Sequence, residues 1–86
     1  MVYEKRRTKV VINDREYTII GNKSTAHVKL AADTLNKQIE DLNHLSSTLS
    51  KEEQAILIAV NAVSDQIELH EKMIELEKKV EEFEKE

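Results

Sequence analysis

The chain has no cysteine, no proline and no tryptophan, one glycine, two tyrosines and one phenylalanine. Without cysteine there is neither a disulfide nor a thiolate metal ligand, a composition that suits a reducing compartment. A single glycine leaves no Gly-rich phosphate loop. His27, His44 and His70 lie far apart and form no H-x-x-x-H pair, so neither a metal nor another cofactor is expected. No apolar run reaches membrane-span length and no signal peptide is visible, so the chain reads as cytoplasmic with no membrane partner. The paired glutamates of the C-terminal part stand four residues from lysines, as on a solvated helix face, and no nucleophile–base set emerges. An enzyme is not expected.

These absences also limit how so short a chain can be stable. Eighty-six residues bury a low fraction of their surface and usually need a disulfide, a metal or a partner chain. The first is excluded and the second is not expected, which leaves oligomerisation.

What the chain does have is a long helical stretch from Leu49 to Glu86, with no glycine or proline to break it. Ser50 and Glu53 form an S-x-x-E capping box at its start. At about 1.5 Å per residue this helix is on the order of 55 Å long. Its first part, Ala55 to Val63, is apolar nearly all round and must be covered on several sides. The small remainder of the chain cannot do that alone, so a dimer is expected. Asn61 interrupts this apolar part, and a buried asparagine there would fix register or partner choice.

The second part is charged except for Leu69, Met73, Leu76, Val80 and Phe83, whose steps of four and three make a heptad seam. With Leu69, Leu76 and Phe83 at d, Lys72 and Lys79 fall at g, and Glu77 and Glu84 at e. Parallel pairing then sets lysine against glutamate, and antiparallel pairing sets like against like, so the charges favour a parallel pair. Ile56, Val60, Val63 and Ile67 join the five seam residues as oligomerisation candidates.

Ahead of this helix, Thr8 to Ile12 and Tyr17 to Ile20 are β-branched and apolar, with Asn13-Asp14-Arg15-Glu16 between them. Asn and Asp tolerate positive φ, so this reads as a hairpin with a tight turn. Val10 and Ile12 share a face, as do Tyr17 and Ile19. A lone hairpin is marginal in water and requires a helix beneath it. That helix begins near Asn22 or Ser24, and its apolar stripe is Val28, Ala31, Leu35, Ile39, Leu42 and Leu45. The start of the chain is basic, with Lys5, Arg6, Arg7 and Lys9, against a net charge of −4. We read those charges as strand residues that block edge-to-edge aggregation. The class is α+β. The head spans 1–63, with a hairpin at about 8–20, a helix at about 24–45 and a long helix from 50; the coiled-coil extension spans 64–86.

Three stretches in this order resemble a known family: Thr8 to Ile19 its strand–turn–strand, Ala31 to Asn36 its first-helix signature, and Glu53 to Val63 the start of its long helix. It is the ZapA family of bacterial division-ring proteins, which bind the tubulin-like GTPase FtsZ and promote bundling of its filaments. The resemblance implies a dimeric α/β head, in which hairpins and first helices of two subunits pack together. It also implies a coiled coil through which dimers pair as antiparallel tetramers, and a place at the mid-cell division ring. It puts Arg15 and Glu53 on the FtsZ-binding surface. Two departures stand out: Asp14 replaces the usual turn glycine, and Asn43 and Ser47 stand where the family has positive residues. A ribbon-helix-helix DNA-binding dimer is the alternative, since it too begins with a basic strand followed by two helices. The second strand, the heptad tail and the negative charge disfavour it, and no nucleic acid partner is expected.

Overall fold

A computed structural model of the chain describes residues 5–85. The first four residues of the head drawn from the sequence, and Glu86 of its extension, lie outside the described residues. The order is β1 (Arg6–Ile12), β2 (Arg15–Gly21), α1 (Thr25–Leu45) and α2 (Lys51–Glu84). The chain divides into two compact units, one ending at Leu49 and the other beginning at Ser50.

In the first unit, β1 and β2 form an antiparallel pair running from Arg6 opposite Gly21 to Ile12 opposite Arg15. Only Asn13 and Asp14 lie in the turn, with φ of 53° and 65°. Positive φ at both central residues is the geometry of a two-residue type I′ turn, whose twist matches that of the strands. The expected four-residue connection is therefore too long: Arg15 and Glu16 belong to β2. Asp14 adopts the backbone conformation that a turn glycine would.

The register sorts the side chains. Arg6, Thr8, Val10 and Ile12 share a face with Gly21, Ile19, Tyr17 and Arg15, while Arg7, Lys9 and Val11 share the other with Ile20, Thr18 and Glu16. α1 packs along β1. Thr8 and Val10 of β1 and Ala32 of α1 are buried, and Tyr17 and Ile19 on the β2 side of the same face remain exposed. The helix thus covers half of the face it was expected to cover.

Ser24 caps α1, its hydroxyl accepting from the His27 N–H at 3.1 Å. The inward residues of α1 are Val28, Ala32, Leu35, Asn36, Ile39 and Leu42, whereas Ala31 and Leu45 are exposed. The stripe is turned slightly from the one read in the sequence. It centres on Ala32, which lacks the bulk to keep the helix off the strand.

The second unit is α2. Its start is strong: Ser50 and Glu53 form the expected capping box, and Glu52 and Glu53 put negative charge at the positive end of the helix dipole. Its end is weak. No basic residue lies in the last turn, where Glu81, Glu82 and Glu84 meet the negative end of the dipole. Gln54 and Ile58 are its buried residues, and Asn61 is exposed. No helix among the described residues is long and apolar enough to cross a membrane.

Candidate functional site

The surfaces with something to offer a partner are the hairpin and the flanks of α2. Arg15 opens β2 directly after the turn and is exposed. It lies on the same face as the exposed Tyr17 and Ile19, so its charge borders an apolar patch. Lys9 and Arg7 point to the opposite face, where Lys9 approaches Glu16 at 4.0 Å, both well exposed. The basic start of the chain is thus divided between two faces and forms no single cationic patch.

One interaction ties the turn to α1. The Asn36 side-chain amide spans two backbone groups of the hairpin. Its Nδ2 donates to the Val11 carbonyl at 2.7 Å, and its Oδ1 accepts from the Asn13 N–H at 2.9 Å. In a hairpin closed by a two-residue turn, the flanking pair Ile12 and Arg15 bonds inward, so Val11 and Asn13 direct their N–H and C=O groups to the outer edge of β1. Asn36 therefore does at this edge what a third strand would do. Sequence pattern alone does not disclose this role; its signs there are a polar residue inside an apolar stripe, between Leu35 and Ile39, and its place at the end of the first-helix signature.

Glu53 is engaged in the start of α2. The Ser50 N–H donates to its Oε1 at 3.0 Å, and the Glu53 N–H donates to the Ser50 hydroxyl at 3.1 Å. The bond from the Ser50 backbone, and secondarily that with its side chain, favours the carboxylate and lowers the Glu53 pKa below its ordinary 4.5. Arg15 and Glu53 belong to different units, and each stands here on its own surroundings.

The nine oligomerisation candidates are all exposed. Ile56 and Val60 are each 59% exposed and Phe83 is 82% exposed, and apolar exposure that runs on contiguously along a helix marks an interaction surface. Helix geometry, at about 100° per residue, sorts them into two stripes. Ile56, Val60, Val63 and Ile67 line up on one flank, continued by Ile74 and bordered by Ala59 and Ser64. Leu69, Met73, Leu76, Val80 and Phe83 lie on roughly the opposite flank, in line with Ile58 and Ala62 further back. The apolar first part of α2 and the heptad seam, distinct in the sequence, thus also face different sides of the helix.

No group of three or more His, Cys, Asp or Glu side chains among the described residues could hold a metal. A cleft of about 340 Å³ beside the turn is lined by Val11, Asn13, Asp14, Asn36, Ile39, Glu40 and Asn43. Its polar groups are amides and two carboxylates, with no nucleophile beside a base.

Comparison with known proteins agrees with this architecture. The family model described as cell division protein ZapA matches residues 8–86. The cell division protein ZapA of Bacillus subtilis (strain 168) is 33% identical over 79 residues, 92% of this chain and 93% of that protein. That of Geobacillus sp. (strain WCH70) is 34% identical over 68 residues, 79% of this chain and 78% of that protein. Among solved structures, a ZapA mutant dimer from Geobacillus stearothermophilus is similar with a TM-score of 0.76 and 28% identity, covering 91% of each chain.

Proposed function

The chain belongs to the ZapA cell-division family, and on that premise we propose that it is a non-enzymatic, cytoplasmic homodimer that binds FtsZ filaments at the mid-cell division ring and bundles them. Dimers pair further into tetramers through α2. The observation that carries this reading is the pair of apolar stripes on opposite flanks of α2. Each must leave water, and a rod with a stripe on two sides can hold a like chain on each. A bundling protein needs at least two filament contacts in one assembly, and self-association through α2 supplies the second copy of every contact. The solved relative is a dimer, which supports the first of these associations. Arg15 is the contact residue we favour on the hairpin. Glu53 is the weaker candidate, since its carboxylate already serves the helix cap.

The ribbon-helix-helix reading loses its ground. β1 pairs with β2 of its own chain, whereas that fold lays one strand per subunit into the major groove. A net charge of −4 also opposes binding to a phosphate backbone.

The deciding experiment is co-sedimentation with FtsZ filaments formed under GTP, beside a mobility assay with duplex DNA. We expect the chain in the filament pellet, the filaments bundled and the DNA unshifted. A chain left in the supernatant at saturating FtsZ would refute the proposal.

A further inference from the structure

We propose that Asn36 is a positioning residue for the filament contact: its amide fixes the β1–β2 turn on α1 and thereby fixes where Arg15 stands. The inference rests on the FtsZ reading above, with Arg15 as a contact residue, and adds to it a residue far away in sequence.

The argument starts from what the hairpin lacks. A two-stranded sheet has two open edges, and the turn is the end farthest from its other support. β1 is held along its length by burial of Thr8 and Val10 under α1. Beyond Ile12, which is half-buried, apolar anchoring stops: Asp14, Arg15 and Glu16 are all exposed. At this point the Asn36 amide grips two of the outward backbone groups, the Val11 carbonyl and the Asn13 N–H, at 2.7 and 2.9 Å. Two bonds from one planar group fix direction as well as distance. The gripped Asn13 is itself the first residue of the turn, and the geometry at Asn13 and Asp14 leads directly into Arg15. With the grip in place, the Arg15 Cα has a fixed position relative to α1. Without it, the strand ladder persists but the turn swings about the end of the packed segment.

Asparagine is a poor residue for the middle of a helix, and alanine is a good one. Replacing Asn36 with Ala therefore removes the grip while favouring the helix, and the two effects on stability oppose each other. Val11 C=O and Asn13 N–H then turn to water. A loss of binding at nearly constant melting temperature is the mark of positioning.

The test uses the full chain, with Asn36→Ala, Arg15→Ala and the double variant. Amide exchange at Asn13 should accelerate on the order of tenfold in Asn36→Ala as its acceptor is lost, with Val10 and Tyr17 unchanged. In FtsZ co-sedimentation, Asn36→Ala should lose several-fold in affinity, and the double variant should bind no worse than Arg15→Ala. Such non-additivity is what a residue acting through Arg15 gives, and a general structural role does not. Asn36→Asp keeps the acceptor for Asn13 but not the donor to Val11. It should fall between parent and Asn36→Ala, and it replaces Asn36→Ala in the cycle should that variant not fold. Additive losses, or unchanged exchange at Asn13, overturn the assignment while leaving the functional reading intact. A parent chain that does not pellet with FtsZ overturns the functional reading, and this assignment with it.

Discussion

Ser50 and Glu53 hold each other: each donates its backbone N–H to the other's side chain, at 3.0 and 3.1 Å. The exchange satisfies two of the backbone donors that every helix start leaves unpaired. It fixes the first residue of α2, and it uses an oxygen of the one acidic group that the family resemblance also offers to FtsZ.

Ser50→Ala should therefore lower stability by about 1 kcal/mol, measured by circular dichroism on urea or thermal unfolding. The pH dependence has a definite sign. The Glu53 pKa is lower folded than unfolded, so its contribution is fully present above the ordinary value of 4.5 and is lost as pH falls through the folded value. Glu53→Gln keeps an acceptor without the charge. The stability gap between parent and Glu53→Gln should be constant from pH 7 down to about 5 and close below it. A gap that widens in acid would contradict this cap.

At the other turn, Asp14 has a φ of 65°, a region that costs residues with a Cβ about 1–2 kcal/mol, less for Asp and nothing for Gly. Asp14→Gly should raise stability by a few tenths to about 1 kcal/mol. Asp14→Val should lower it, because a branched side chain tolerates that φ worst. Denaturant midpoints of the two variants, one on each side of the parent, check the prediction.

The two flanks of α2 should answer separately. Val60→Asp places a charge in the stripe of Ile56, Val63 and Ile67. If that stripe is buried between subunits, the cost is severe, above about 4 kcal/mol. Leu76→Asp strikes the opposite flank. Light scattering after gel filtration should give a monomer or an unfolded chain for Val60→Asp and a folded dimer for Leu76→Asp. A folded dimer for Val60→Asp, or loss of the dimer in Leu76→Asp, would contradict this division between the flanks. A parent chain that is a folded, soluble monomer at micromolar concentration would refute the dimer altogether.

The direction of pairing along the Leu69–Phe83 seam is a further expectation. Lys72 and Lys79 at g and Glu77 and Glu84 at e favour parallel chains, each pair adding a fraction of a kcal/mol. Phe83→Cys should then crosslink readily across that seam under mild oxidation, since parallel d positions face each other. Absence of a crosslink, with the oligomeric mass unchanged, would point to antiparallel chains at the seam.

Arg15→Glu should keep the melting temperature and the oligomeric mass and reduce FtsZ bundling several-fold. The loss should be greatest at low salt, where an exposed charge is least screened. Light scattering of FtsZ with each variant reads this directly. Bundling equal to the parent at low salt would remove Arg15 from the contact.

Several of these features were legible in the sequence because their causes are local. β-branched runs on either side of Asn13-Asp14 announced the hairpin, and Ser50 with Glu53 announced α2 three residues apart. The sequence makes the turn look wider than it is because Arg15 and Glu16 have the polarity of a loop. What keeps them in β2 is the positive φ at both turn residues, which closes the ladder at Ile12 opposite Arg15 and which composition does not display. Val28, Leu35, Ile39 and Leu42 of the α1 stripe follow from the pattern, but Ala31 and Ala32 are indistinguishable until the strand picks one. Asn36 was invisible as a latch, since its partners are 23 and 25 residues away in the chain. The stripes of α2 could be listed from the sequence, but dividing them between two flanks takes the phase of an unbroken helix across Asn61 and Asp65.

The contrast between the two ends of α2 has a consequence for its motion. One end is clamped by reciprocal bonds and favourable charge, and the other ends in glutamates that oppose the dipole. Opening of α2 should therefore begin at its glutamate-rich end and reach Ser50 last, so amide exchange in the last turn should be faster than in the first fully bonded turn after Ser50.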